Sequence, residues 1–423
     1  MRKKRIRILL LSVILTCGSL WTQPVKNNPH KTLTLEQCIS IALQQNPLVL
    51  SSMQQYQASL ARIKQAKAFT QPTLDYDSDL QPKFFKFRDS GESYFGLSQS
   101  FEFPGKRQTR AKIASQESYE LMADIDLLKL DLIFQVKQSF YSLLLAQEKL
   151  KYAQQNLELS QDFLQKAELK FDAGDVAKVE ALRAQVEASK AANEVKKAEN
   201  EVTLAKATLN FLLARKKYEP LEIKGELKGP FISLNVEDLK HKALLYRPEM
   251  KRIDFSLKKE SFMKTQGYLS YLPDFDLGVS RHRIEGEETT WDVTLSFSIP
   301  LFFWQPKIGE IAESQANIES LKNEAEHLKN AISLEVGEAY MNAVTAENQI
   351  QLFEEEILAQ AEEVYNMFLF SYQEGEISSI ELIEARRTLI EARKSYADAL
   401  YNYETALAAL EKSIGQRLEG EEK

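Results

Sequence analysis

The sequence predicts a mostly helical α+β chain, internally duplicated, whose four strands belong to a transmembrane β-barrel shared between chains and continued by a long α-helical coiled-coil barrel. Three observations carry this. Landmarks recur at a near-fixed offset: Pro47 and Pro248, Pro72 and Pro273, and Gly174 and Gly375 each lie 201 positions apart, with Val136 and Val336 200 apart. A fixed internal period decides the architecture before any single element does. Each copy carries a pair of alternating strand-like runs. Between the strand pairs run stretches almost free of glycine and proline, long enough for helices of unusual length.

The elements follow in order. Arg2, Lys3, Lys4, Arg5 and Arg7 precede an apolar run from Ile8 to Leu15, the charged and hydrophobic regions of an export signal, which we place at residues 1–22. The run is too short to span a bilayer as a helix, which needs about 20 residues, and no other stretch comes closer. The sequence thus predicts an exported chain without a transmembrane helix. Leu15-Thr16-Cys17-Gly18 loosely resembles a lipobox in which Cys17 would be acylated to give a lipoprotein. Thr16 is a poor residue before such a cysteine, so the alternative, a cysteine discarded with the signal, stands beside it. Cys38 is then left alone and excludes an internal disulfide.

The first repeat covers residues 34–214. Thr34 and Gln37 are spaced as a capping box, and an apolar stripe at Ile39, Ala42 and Leu43 follows until Asn46-Pro47. After Pro104-Gly105 no glycine or proline occurs before Gly174, a helical path of roughly 100 Å at 1.5 Å per residue. Lys106 and Arg107 open that helix, and the sequence allows them either to meet anionic lipid or only to begin it. A returning helix runs to about Ala214. A linker at 215–234 leads to the second repeat, 235–415, with Asn235, Pro248 and the Gly375 turn in matching places, and a tail at 416–423. From Pro306 to Gly375 only Gly309 and Gly337 are expected to weaken the second long helix. Alanine recurs every seventh residue in both returning helices, at Ala184, Ala191, Ala198 and Ala205 and at Ala385, Ala392, Ala399 and Ala406. Heptad spacing makes a coiled-coil face, and a methyl knob permits close helix approach.

The strand runs alternate with period two. Trp291, Val293, Leu295, Phe297 and Ile299 interleave with Asp292, Thr294, Ser296 and Ser298; Phe275, Leu277 and Val279 interleave with Asp274, Asp276, Gly278 and Ser280. In the first copy Leu74, Tyr76 and Leu80 alternate with aspartates, and Phe95, Leu97, Phe101 and Phe103 with small or polar residues, Gln99 interrupting the apolar face. Runs of about ten residues match tilted bilayer-crossing strands, and apolar-out, polar-in alternation marks a membrane barrel. One such hairpin reads equally well as a soluble sheet with a buried face. Two matched hairpins, an export signal and no membrane helix favour the barrel. Four strands cannot close one, and open edges are not tolerated in lipid, so several chains must share it. Its lipid-facing residues are then Trp291, Val293, Leu295, Phe297 and Ile299, around a lumen of Asp, Ser, Thr and Gly.

Composition bounds the function classes. A net charge of −7 argues against a nucleic-acid partner. His30, His241, His282 and His327 are scattered, so no metal site is expected. There is no glycine-rich phosphate loop and no cysteine–histidine constellation. Neither catalytic residues nor a cofactor are expected, and an enzyme is not.

Leu33-Thr34-Leu35-Glu36-Gln37 through Asn46-Pro47, Phe101-Glu102-Phe103-Pro104-Gly105-Lys106-Arg107, Phe297-Ser298-Ile299-Pro300-Leu301-Phe302, Phe171 to Gly174, and Tyr372-Gln373-Glu374-Gly375 together resemble the TolC-like outer-membrane efflux family. The likeness covers nearly all of the chain beyond the signal. It implies a homotrimer with a twelve-stranded barrel in the outer membrane, a periplasmic helical tunnel, and an equatorial region around the 215–234 linker. It also implies a passive exit duct in a tripartite pump, driven by an inner-membrane transporter through a periplasmic adaptor protein. The family closes its tunnel with acidic residues six and nine positions after the second-copy glycine, here Glu381 and Glu384, three apart on one helix face. The first copy has Glu180 and Arg183 at those positions. Tyr372 matches a tyrosine of the family's closing network, with Glu180 as its expected partner, and Arg183 is expected to pair with an acidic neighbour. The tip turns at Gly174 and Gly375 are the implied adaptor-docking points. Phe103-Pro104-Gly105-Lys106-Arg107 and Pro300-Leu301-Phe302-Phe303-Trp304 look most like the branch paired with heavy-metal cation exporters; drug export is open too. Alternatives are a duct for type I protein secretion and a non-channel periplasmic coiled-coil scaffold.

Overall fold

The structure, a computed structural model, describes residues 32–79, 90–228, 235–299 and 306–418. The export signal with Cys17, Leu80, linker residues 229–234 and the last five tail residues lie outside them. In the first half, α1 (Leu35–Gln45) and α2 (Pro47–Ala66) lead into β1 (Thr73–Asp79), β2 (Glu92–Phe101), α3 (Lys106–Asp172) and α4 (Lys178–Leu212). The second half repeats the order with α5 (Val236–Tyr246), α6 (Pro248–Leu269), β3 (Phe275–Ile284), β4 (Thr290–Phe297), α7 (Pro306–Leu352), α8 (Leu358–Gln373) and α9 (Ser379–Ile414).

Local sequence explains where these helices begin. The Thr34 hydroxyl accepts from the Gln37 amide (3.4 Å), and the Gln37 side chain accepts from the Thr34 amide (3.2 Å). Each of these contacts satisfies an amide that the helix leaves unpaired. Asn46 accepts from Leu48 N–H (2.9 Å) and donates to the Leu212 carbonyl (3.2 Å), so one side chain caps α2 and ties it to the end of α4. At the equivalent point of the second half Arg247 does the tying: its guanidinium reaches Glu249, Glu335 (2.9 Å) and the Ser413 carbonyl (3.1 Å). Gly174 and Gly375 hold φ of +82° and +83°, and each closes the same turn. The amides of Gly174 and Asp175 donate to Phe171 and Lys170 carbonyls, and those of Gly375 and Glu376 to Tyr372 and Ser371. This is the six-residue helix terminator that favours glycine at its left-handed position.

Gly309 and Gly337 do not break the second long helix; both lie within α7. The interruption is instead a single π-helical stretch, Phe353–Ile357, between α7 and α8. There Tyr396 of α9 donates to Glu354 (2.6 Å) and packs against Phe353 with ring centroids 6.3 Å apart. Helix α3, 67 residues long, has no such insertion.

The core is distributed along the rod. Around the middle of the first half, Cys38, Ala42, Val136, Phe140, Leu143, Leu209 and Leu213 form one cluster, and linker residues Leu221 and Leu227 close it. Leu33 pairs with Ile223 in a parallel bridge that pins the linker there. Leu239, Ala243, Ile332, Val336 and Leu410 form the matching cluster of the second half, with Val136 and Val336 both fully buried. Of the heptad alanines, Ala184, Ala191 and Ala198, and Ala385, Ala392 and Ala399, are buried, while the last of each series, Ala205 and Ala406, is half-buried.

Candidate functional site

The four strands form one antiparallel sheet in the order β1-β2-β3-β4. Within the sheet the two halves meet at the central β2–β3 pair, and among the described residues no strand pairs with either outer edge, β1 or β4. The register aligns side chains in rows. Leu74, Leu97, Val279 and Val293 stand side by side, as do Tyr76, Phe95, Arg281 and Trp291, and Gln99, Leu277 and Leu295. The apolar members of these rows share one face and are exposed: Trp291 is 70% and Val293 71% accessible, with Leu295 over half exposed; Phe297 at the end of β4 and Ile299, two residues beyond that strand, are exposed too. Burying each large apolar side chain would contribute about 1.5–3 kcal/mol, so an unpartnered face this wide is strongly unfavourable in water.

The opposite face is polar. Asp75, Asp77, Tyr94, Ser98, Asp276, Ser280, Thr294 and Ser296 line a concavity of about 320 Å³. Ser98 donates to Asp75 (3.0 Å). Further along, Glu92 takes hydrogen bonds from Tyr94 (2.6 Å) and pairs with His282 (2.7 Å), whose ring stacks on Tyr94 at 4.0 Å. The described residues hold no cluster of three or more His, Cys, Asp or Glu side chains suited to a metal ion. None of the described helices is long and apolar enough to cross a membrane. Lys106 does not point to lipid. It is buried, and its ammonium donates to the Leu272 carbonyl and to Asp274 (both 2.8 Å), joining the start of α3 to the start of β3. Arg107 lies over the Phe69 ring at 3.7 Å.

At the far end of the rod, the turns at Gly174 and Gly375 close two helical hairpins packed on Phe163, Ala167, Ala184, Leu382 and Ile383. Glu381 and Glu384 lie on one exposed face of α9. Glu381 caps that helix, accepting from the Ser378 amide (2.8 Å) and hydroxyl (3.0 Å), while Glu384 pairs with Arg387 (2.8 Å). Arg183 finds its acid on its own helix, Glu180 at 3.0 Å, and so spans nothing. Glu180 accepts from Ser379 of the other hairpin rather than from Tyr372. Tyr372 packs against Phe163 (5.7 Å) and beneath the Lys170 ammonium (5.0 Å). Burial, and then the charge of Glu180, raise the Tyr372 phenol above its ordinary range.

Sequence reasoning missed Ser379 and the pair Arg386 and Arg387. Arg387 bridges hairpins by facing Glu187 of α4 at 3.6 Å. Arg386 is only 6% exposed. A signal was present: Leu382, Ala385, Arg386 and Leu389 follow the three-and-four spacing of a buried stripe, with a cation where an apolar residue belongs.

With this geometry in hand, comparison with known proteins is informative. The model of the outer membrane efflux protein family matches twice, over residues 38–215 and 240–416. The cobalt-zinc-cadmium resistance protein CzcC of Cupriavidus metallidurans is 23% identical over 370 residues, covering 84% of each chain. Among solved structures, CusC superposes with a TM-score of 0.76 at 18% identity, over 94% of this chain and 96% of that one. The CmeC outer membrane channel of Campylobacter jejuni gives 0.74 at 16% identity, over 100% and 96%.

Proposed function

The chain belongs to the outer membrane efflux protein family, and from that premise we propose that three copies close one barrel and act as the passive exit duct of a tripartite efflux system. The observation that carries this reading is the sheet: apolar and exposed on one face, polar on the other, with two open edges. Lipid covers the first face, water fills the second, and edge pairing between copies removes the unpaired backbone groups that a bilayer does not tolerate. The helical hairpins extend the conduit into the periplasm, where their tips meet an adaptor linked to an inner-membrane pump. Divalent heavy-metal cations are the favoured cargo, on the likeness to a cobalt-zinc-cadmium resistance protein; a lumen wall bearing Asp75, Asp77 and Asp276 suits their charge. Substrates pass through without chemistry on this chain, so no catalytic group is assigned. Glu381 and Glu384 form the periplasmic constriction, with Glu180, bonded to Ser379, and Tyr372, packed on Phe163, holding the hairpin tips together, and Arg183 steadying Glu180 on their common helix.

The test is planar-bilayer conductance of the detergent-purified chain, with its mass in solution. A trimer giving small cation-selective steps is the expected result. A monomer that needs no detergent and does not conduct would overturn it.

A further inference from the structure

The two faces of the sheet differ in the sign of their charges as well as in polarity. Within the four strands every carboxylate stands on the polar face: Asp75, Asp77 and Asp79 on β1, Glu92 on β2, Asp276 on β3 and Asp292 on β4. The strands' two arginines, Arg281 and Arg283, stand on the apolar face, at successive outward positions of β3, and both are exposed. His282, between them, turns to the polar face and pairs with Glu92. Arg281 shares its row with Tyr76, Phe95 and Trp291, and Arg283 is one step further along, opposite Ser93. Neither arginine pairs with a carboxylate among the described residues, Glu285, Glu287 and Glu288 of the adjoining turn included. Charges kept for solubility alone mix their signs; here the sign follows the face. The height of the arginines is also set. Strand β2 passes into α3, and α6 into β3, at the Phe101–Phe275 end, so Arg281 and Arg283 lie at the end of the sheet away from the helical rod. Pairing continues past β4, where the Ser298 amide donates to the Asp274 carbonyl (2.9 Å), and this puts Ile299 level with Pro273. From that level to Arg283 is roughly 33 Å of strand and roughly 25 Å of height at the ordinary barrel tilt, the height of an outward apolar band.

We propose that Arg281 and Arg283 bind the phosphate groups of an anionic lipid in the leaflet away from the helical rod, one such pair of cations on each copy of the chain around the barrel. The inference rests on the duct reading and deepens it, giving the chemical class of lipid that meets one edge of the apolar face. An arginine is costly at the bilayer midplane and nearly free of cost at the interface, which is where the height of the band places these two. A guanidinium fork matches phosphate oxygens bidentately. Successive outward positions lie roughly 7 Å apart, within the span of one head group. Tyr76 and Trp291 beside Arg281 are the ring types that settle at head-group level. With the strand carboxylates all turned to the lumen, no acid on the outward face of the strands competes for the arginines or repels an anionic head group.

The experiment uses the full-length chain in neutral detergent and two probes, lipid A bearing two phosphates and the same glycolipid with both removed. Native mass spectrometry measures how much of each the assembly retains, and bilayer conductance is recorded on the same samples. We expect the wild-type chain to favour the phosphorylated lipid at least about tenfold. Arg281→Gln with Arg283→Gln should bring that ratio close to one while leaving subunit number and conductance steps unchanged. Equal retention of the two lipids by a wild-type chain that assembles and conducts overturns the proposal and leaves the duct reading standing. So does a preference that survives in the double variant, which would put the phosphate site elsewhere. Displacement of the lipid by inorganic phosphate alone overturns it too, since the arginines would then hold the free ion. If the double variant does not assemble, Arg283→Gln, outside the aromatic row, decides. Its preference should fall at least about threefold, and an unchanged preference overturns the proposal. If the wild-type chain itself neither assembles nor conducts, the duct reading has failed and this inference falls with it.

Discussion

At the scale of single residues, the acidic pair at the tip has a double use that affects how it is tested. Glu381 is both a candidate constriction charge and the capping partner of Ser378. An alanine there would remove charge and cap together, at about 1 kcal/mol for the cap alone. Glu381→Gln with Glu384→Gln keeps the hydrogen-bonding shape. In bilayers this pair should lower cation over anion selectivity at least about twofold; unchanged selectivity would remove the pair from the constriction. A second residue-level prediction concerns Glu404. Burial raises its carboxyl above the usual range; the Tyr141 hydroxyl bonded to it and Lys137 pull it back, and Glu411 adds to the rise. Because the folded value is raised, the stability it confers is present below the ordinary carboxylate range and is lost as pH climbs through the folded value. Glu404→Gln, still able to accept from Tyr141, should therefore be more stable than the wild-type chain near pH 8, by on the order of 1 kcal/mol. The gap should close on acidification, a comparison that thermal unfolding at two pH values makes directly. Which helix-surface groups meet was barely legible in the sequence. Spacing along α4 placed Glu180 and Arg183 on one face, but that Ser379 rather than Tyr372 engages Glu180 depends on how two hairpins pack, and Ser379 lies 199 residues away.

At the scale of elements, the sequence was far more explicit, because each element rests on local physics. The capping boxes, the left-handed glycines and the period-two strands are written in neighbouring residues. What resisted was the break in the second long helix. Two glycines drew attention, yet glycine costs a helix only about 1 kcal/mol, and long helices on both sides absorb that. The π-stretch at Phe353–Ile357 carries no glycine; it is met by side chains of α9, Tyr396 at Glu354 and Phe353, and Leu389 and Ala392 in the cluster that Ile357 packs against. The strands yield the clearest element-level prediction. Val293 stands mid-row on the exposed apolar face, beside Val279. Val293→Arg should destabilise the membrane-inserted form by about 2–4 kcal/mol if that face meets the middle of the bilayer. The nearby Thr294→Arg, on the polar face, should cost far less. Yields of heat-resistant oligomer after refolding into vesicles compare the two; equal losses would mean that the two faces are not differently solvated.

At the scale of the whole molecule, the duplication made the architecture readable, and the strand edges left unpaired among the described residues are what the proposed assembly of several copies pairs. Subunit number and cargo are not encoded by any periodicity, and they enter here from family membership and likeness. The duplication has a further consequence. In the proposed trimer the tunnel is a ring of six hairpins that only look alike. Because two are covalently joined in each chain, neighbours are free to diverge: Glu381 and Glu384 alternate with Glu180 and Arg183, and Arg386 alternates with Gln185. An assembly of six identical hairpins has to repeat each residue six times. Here odd and even seats around the ring carry different charges, so a partner that tells the two kinds of seat apart finds three of each, and the ring can give one set of seats to grip and the other to closure.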